Sequence, residues 1–177
     1  MSGRLLTNTQ KRSISNTSPI LNLAIVGQLS LLREQFGEVR IPTAVLGELR
    51  VEENLPGSRA VEEALEAGWL QVEEVQDQAL SRVLQRDLDR GEAEAIVLAL
   101  QVKAERVLLD EREGRRVAKS LGLKVTGVLG ILLRARRESR LASLQKAMDE
   151  LRERAGFRIG AELYADLIRE SGENEAN

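Results

Sequence analysis

The chain reads as an α/β domain: three layers, α/β/α, around a central mostly parallel sheet, with extra helices at the C-terminal end. Three observations predict it. Short apolar runs alternate along the sequence with stretches whose apolar residues recur at helical spacing. Parallel strands joined by crossover helices are the simplest packing that buries both faces of such runs. A length of 177 residues fits one core and leaves little material for a second.

Residues 1–12 are polar and aperiodic and are expected to form a poorly ordered extension, with a single domain over 13–170 and a loose tail at 171–177. Ser13-Ile14-Ser15 is a short strand-like run that leads into Asn16-Thr17-Ser18-Pro19, where Thr17 or Ser18 can cap a helix and Pro19 suits its first turn. From Ile20, the positions Leu21, Ala24, Ile25, then Leu29, Leu32 and Phe36 fit two short helices stopped by Gly27 and Gly37. Val39 to Ile41 reads as a buried strand, and Pro42 opens a helix carrying Val45, Glu48 and Leu49 until Pro56-Gly57 breaks the pattern.

A helix over 58–67 ends at Gly68, and Trp69 to Val72 has the alternation of an edge strand. A helical stretch over 79–88 precedes Gly91-Glu92-Ala93-Glu94, which starts a strongly apolar helix through Val102. Arg106 to Leu109 is a short buried strand ending at Asp110-Glu111. A helix over 113–121 stops at Gly122, and Leu123 to Thr126 is the last strand. Helices over 128–137, 141–154 and 161–170 complete the chain, with no repeat or low-complexity block.

Composition restricts the chemistry. Apolar residues make up 42% and aromatic residues 2%, so the core must be aliphatic and aromatic base-stacking platforms are nearly excluded. The chain has no Cys and no His, which removes zinc sites, thiol nucleophiles, imidazole bases and Ser-His-Asp triads together. No stretch approaches ~18 apolar residues and nothing calls for disulfides, so a cytoplasmic protein without membrane contact is expected. A net charge of -2 argues against a generally basic coat, so any RNA contact must be local.

In an open parallel sheet, ligands gather beyond the carboxyl ends of the strands where strand order switches. Asn16 follows the first strand, Asp110 and Glu111 follow the strand at 106, and Glu48 and Glu94 lie in helices that start after such loops or face across them. Gathered carboxylates repel one another unless a cation neutralises them. Hard oxygen donors favour Mg²⁺ or Mn²⁺, whose usual work on nucleic acid is to orient a water and screen the scissile phosphate.

Ser15-Asn16-Thr17-Ser18-Pro19-Ile20, Gly37-Glu38-Val39, Ile41-Pro42 ahead of Glu48, Gly91-Glu92-Ala93-Glu94-Ala95-Ile96, Leu109-Asp110-Glu111-Arg112 and Gly122 to Gly127 occur in one order. As a set they resemble PIN-domain nucleases, and more narrowly a bacterial PIN-like, toxin-like group. The resemblance covers Arg12 to the end. It implies metal-binding positions at Asn16, Glu48, Glu94 and Asp110 or Glu111, with Thr17 or Ser18 as supporting hydroxyls. Asn16 departs from the pattern, because an amide offers an oxygen but no negative charge.

Each residue also has a plainer service. Asn16, Thr17 and Ser18 suit helix caps, Glu48 a solvated helix face, and Glu92, Glu94, Asp110 and Glu111 helix N-termini. The run Ala95 to Leu100 marks a buried helix, which favours a site at Glu94 over a cap. Asp87-Leu88-Asp89 looks like a metal-binding pair but reads as a solvated turn. No GxGxxG or P-loop supports a nucleotide cofactor.

Arg112, Arg115, Arg116 and Lys119 share one helical face beside Asp110, where a phosphate backbone could run. Arg134, Arg136, Arg137 and Arg140 form a second cluster suited to surface or partner contact. The expected function is a Mg- or Mn-dependent ribonuclease using Asn16, Glu48, Glu94 and Asp110 or Glu111. By resemblance it is the toxin of a toxin-antitoxin pair, a homodimer silenced by a small antitoxin protein. The rival is a PIN-like module that binds nucleic acid or protein without cutting, because Asn16 replaces the first acid. A phosphotransfer receiver or phosphatase ranks last, since either would want an aspartate after the first strand.

Overall fold

The computed structural model describes residues 11–173. Most of the expected N-terminal extension and residues 174–177 lie outside that range. Five strands, β1 (Ser13–Ser15), β2 (Val39–Pro42), β3 (Leu70–Glu73), β4 (Arg106–Leu108) and β5 (Lys124–Thr126), form one sheet in the order β3-β2-β1-β4-β5. Every strand pair is parallel.

Ten α-helices follow in chain order among the described residues: α1 (Thr17–Ile25), α2 (Ser30–Phe36), α3 (Thr43–Leu49), α4 (Ser58–Glu66), α5 (Gln78–Leu84), α6 (Arg90–Gln101), α7 (Arg112–Ser120), α8 (Val128–Arg137), α9 (Leu144–Ala155) and α10 (Ala161–Ser171). Side chains alternate across a strand. Ile14, Val107 and Leu109 therefore pack with Ile96 and Leu98 of α6, while Ile41 and Leu108 pack with Leu23, Ile131 and Leu132 on the opposite face. Two aliphatic cores on the two faces of one sheet make the three layers. The C-terminal helices α8 to α10 thicken one layer.

Three helices begin or end elsewhere than their periodicity predicts. α3 stops at Leu49, well before Pro56-Gly57, because Arg50 takes a positive φ of 50°. α5 stops at Leu84, four residues short of the expected end, and Asp89 then caps α6. α9 starts at Leu144 rather than near Leu141, because Ser139 takes a positive φ of 58° and the Ser143 side chain accepts from Lys146 N–H. At the C-terminal end α10 runs to Ser171, and Glu173 accepts from the backbone N–H of Leu144 and Gln145 and pairs with Arg136 at 2.8 Å. The tail expected to be loose from 171 is thus anchored through 173, with the α9 N-terminus as the partner.

Strand order reverses at β1, which lies between β2 and β4. Ser15 is in register with Leu108, and Asn16 N–H donates to Leu108 O at 3.0 Å. The segments leaving these two neighbouring strands, Asn16 onward and Leu109 onward, diverge at the topological switch point where such sheets bind ligands.

Candidate functional site

Asn16 occupies the N-cap position of α1, yet its side chain makes no capping hydrogen bond. Its Oδ1 is buried without a hydrogen-bond partner. The next two residues turn their hydroxyls on acids. Thr17 Oγ1 donates to Glu48 Oε2, and Ser18 Oγ donates to Asp110 Oδ2 at 2.7 Å. Asn22, one turn further along α1, donates to Ser18 Oγ at 2.9 Å and fixes the hydroxyl from behind. Neither hydroxyl caps the helix; each donates to an acid instead.

Glycines make room for the acids. A Cβ on Gly91, at the head of α6, would stand 2.5 Å from Glu48 Oε2. One on Gly127 would stand 2.9 Å from Asp110 Oδ1 and 2.7 Å from Arg115 Nη1. Asp110 Oδ1 also accepts from Val128 N–H at 2.8 Å, in the first turn of α8, where the helix dipole favours an anion. Burial pushes the Asp110 pKa up from the usual aspartate range. The bonds from Val128 and Ser18 and the charge of Arg115 oppose that rise, and Glu111 adds to it.

The two glutamates at the head of α6 face different neighbours. Glu94 is 3% exposed and is already engaged, because Oε2 accepts from Ala44 N–H at 3.1 Å and Oε1 lies 3.6 Å from Arg90 Nε. Its side chain takes up a free backbone N–H in the first turn of α3. Glu92 forms a capping box with Asp89, accepting from Asp89 N–H through Oε2, while its buried Oε1 has no partner. A Cβ on Gly114 of α7 would stand 2.9 Å from that Oε1. Burial, followed by the charge of Asp89 and smaller contributions from Glu111 and Glu48, raises the Glu92 pKa to about 7.

Among the residues expected to form the site, the fold brings Asn16, Thr17, Ser18, Glu48 and Asp110 to one junction. Glu94 is tied to α3, and Glu111 stands exposed at the N-cap position of α7 without a capping bond. Among the described residues no group of three or more acidic side chains is gathered closely enough to hold a metal ion. The expectation that Glu48, Glu94 and Asp110 or Glu111 converge is corrected to that extent: two carboxylates flank the start of α1, and each accepts a hydroxyl proton. Glu92, which the sequence offers only as an acid at a helix N-terminus, forms the capping box there. The signal available was the spacing Asp89-x-x-Glu92 together with a glycine inside a helix at Gly91. The donor set nevertheless suits a hard cation, since every candidate atom is oxygen and Asn16 Oδ1 and Glu92 Oε1 are buried without a partner.

The basic residues also divide. Arg115 reaches inward and donates to Leu109 O at 3.0 Å, whereas Arg112, Arg116 and Lys119 are exposed and Arg116 pairs with Glu113. In the second cluster Arg136 pairs with Glu173 and Arg140 with Glu34, while Arg134 and Arg137 border a cleft of about 680 Å³ shared with Arg106, Arg115 and Asp110. A neighbouring cleft of about 450 Å³ is lined by Ser18, Asp110, Glu111 and, from the loop after α9, Arg158. Asp87 and Asp89 are exposed around buried Leu88, and Asp89 is a helix cap, in keeping with a turn.

No helix of the described residues is long and apolar enough to cross a membrane. A family model described as a PIN domain matches residues 12–173. No curated protein and no solved structure matches the chain.

Proposed function

The chain belongs to the PIN-domain family, a family of nucleases, and from that premise we propose that it is a divalent-metal-dependent ribonuclease. The observation that carries the reading is the pair of hydroxyls at the start of α1. Thr17 and Ser18, adjacent in sequence, orient Glu48 and Asp110 beside an Asn16 oxygen that has no other partner. Orienting carboxylates through a second layer of hydrogen bonds is how proteins prepare ligands for a cation.

Mg²⁺ or Mn²⁺ would be held by Asp110, Glu48 and Asn16 Oδ1, with Glu111 close enough to add to the negative field. Once bound, the ion supplies an activated water and screens the scissile phosphate. The protein's own groups do the rest. Val128 N–H and Ser18 fix both oxygens of Asp110, Gly91 leaves room for Glu48, and Glu92 holds a proton near neutral pH, which limits repulsion among the acids. Arg158 shares the cleft with Asp110 and Glu111 and offers a positive charge to a phosphate entering there.

The toxin role, the small antitoxin partner and the homodimer are supported by resemblance to the toxin-like group, and a cytoplasmic location belongs to the same reading. A second reading, a module that binds RNA without cutting it, is favoured by the neutral Asn16 and by the ungathered acids. Incubation of the purified protein with single-stranded RNA and Mn²⁺ separates the two. The enzyme reading expects cleavage that Asp110→Asn abolishes; the module reading expects retention of intact RNA by both proteins.

A further inference from the structure

With four aromatic residues in the whole chain, the placement of the two phenylalanines matters. Both Phe36 and Phe157 line the cleft of about 680 Å³ that opens onto Asp110. Leu129, Leu133, Leu163 and Leu167 extend the apolar wall, and Leu163 is 47% exposed there. Four arginines border the same cleft against one acid, Asp110. Arg106 donates to Thr126 Oγ1 and Arg115 to a backbone carbonyl, so neither faces a carboxylate within hydrogen-bonding distance among the described residues. Arg134 and Arg137 do pair, with Glu138 at 2.8 Å and Glu170 at 3.1 Å, but on a solvated rim where such pairs contribute little and a phosphate can displace them.

We propose that this cleft is a nucleotide subsite that seats the base of one residue of single-stranded RNA against its apolar wall and that residue's phosphates on Arg106, Arg115 and Arg134. An apolar slot alone would suit many ligands. A slot with a cationic rim, sharing Asp110 with the candidate metal centre, suits a ligand that is flat, partly apolar and anionic, and whose chain continues into the acidic junction. The composition nearly excludes a stacking platform across the surface. It leaves room for one local pocket, and the fold has put both phenylalanines in it. The assignment of the bound residue to the position next to the cut bond rests on the nuclease reading; the binding itself does not.

The test is fluorescence anisotropy of labelled five-residue single-stranded RNAs with the whole protein in EDTA, where binding is read without cleavage. Arg134→Glu and Leu163→Glu change exposed side chains and are expected to weaken binding by roughly tenfold or more, with unchanged circular dichroism. Arg59→Glu on α4, away from the cleft, is expected to bind like the parent. Arg134→Ala is expected to lower the slope of log affinity against log salt by about 0.7. One abasic position in the RNA is expected to weaken the parent by roughly tenfold and Leu163→Glu by much less.

Parent-like binding by both cleft variants, no binding of any pentamer by the parent, or indifference to abasic RNA overturns the proposal. So does a glutamate-rich peptide that binds this cleft while RNA does not. RNA cleavage that survives both substitutions sinks the subsite alone. Binding that behaves as expected without any cleavage in Mn²⁺ sinks the nuclease reading alone.

Discussion

Ser18 donates its hydroxyl to Asp110 at 2.7 Å across 92 positions of sequence, so the first turn of α1 orients an acid delivered by the end of β4. The bond also favours the charged form of a carboxyl that burial disfavours. Ser18→Ala is expected to push the Asp110 pKa higher still and to cost about 1–3 kcal/mol of folding stability. Mn²⁺ affinity should then fall more at pH 6 than at pH 8 by isothermal titration, while Ser18→Thr keeps most of it.

Gly91 stands in the first turn of α6, where alanine is the better helix former. Its missing Cβ is what Glu48 occupies, since the added atom would lie 2.5 Å from Oε2. The carboxylate is the movable end of a flexible side chain. Gly91→Ala is therefore expected to leave thermal stability equal or higher and to weaken Mn²⁺ binding and RNA cleavage. Loss of stability with unchanged metal affinity would show that Glu48 is not placed by this glycine.

Glu94 is expected to matter for folding before it matters for metal. It is buried, accepts from Ala44 N–H and pairs with Arg90. Glu94→Ala should destabilise the metal-free protein by about 2–3 kcal/mol, read as a lower melting temperature in EDTA. A residue serving only as a ligand would leave the metal-free protein as stable or make it more so.

The pH dependence expected from Glu92 follows from its raised pKa of about 7 against an ordinary 4.5. The folded state binds this proton more tightly than the unfolded chain does. The resulting stability is fully present below about pH 4.5 and is lost as pH climbs through about 7. In EDTA, Glu92→Gln keeps a capping-box residue and should remove most of this dependence, raising stability at pH 8 relative to the parent. Parallel curves of stability against pH for the two proteins would contradict it.

Asn16 provides the reciprocal case. Its Oδ1 is buried without a hydrogen-bond partner. Asn16→Asp should cost about 1–3 kcal/mol in EDTA and should raise Mn²⁺ affinity by about tenfold or more. Both changes are read from the same pair of melting and titration experiments.

Much of this fold is legible in the sequence because each short strand is bracketed by punctuation. Ser13–Ser15 ends at the Asn16-Thr17-Ser18-Pro19 junction, and α8 spans Val128–Arg137 as its periodicity predicts. The order of Asn16, Glu48 and Asp110 was legible too, since parallel topology delivers residues after β1 and β4 to one crevice. The choice between Glu92 and Glu94 was not. Two residues apart on a helix point roughly 200° apart, so the decision belongs to what packs on each side. Here α3 takes the Glu94 side and Gly114 of α7 takes the Glu92 side. A 2% aromatic content likewise bounds how many rings exist but not where they gather, and the spacing of Arg112, Arg115, Arg116 and Lys119 does not reveal that Arg115 alone turns inward.

The claim beneath the rest is that the start of α1 arranges Glu48 and Asp110 for a divalent cation. A crystal soaked in Mn²⁺ and measured for anomalous scattering tests it most directly. The account predicts a peak at roughly metal–oxygen bonding distance, about 2.0–2.3 Å, from an oxygen of Asp110 and of Glu48, with Asn16 Oδ1 beside it. A map with no peak there, or with manganese only on exposed glutamates elsewhere, contradicts it.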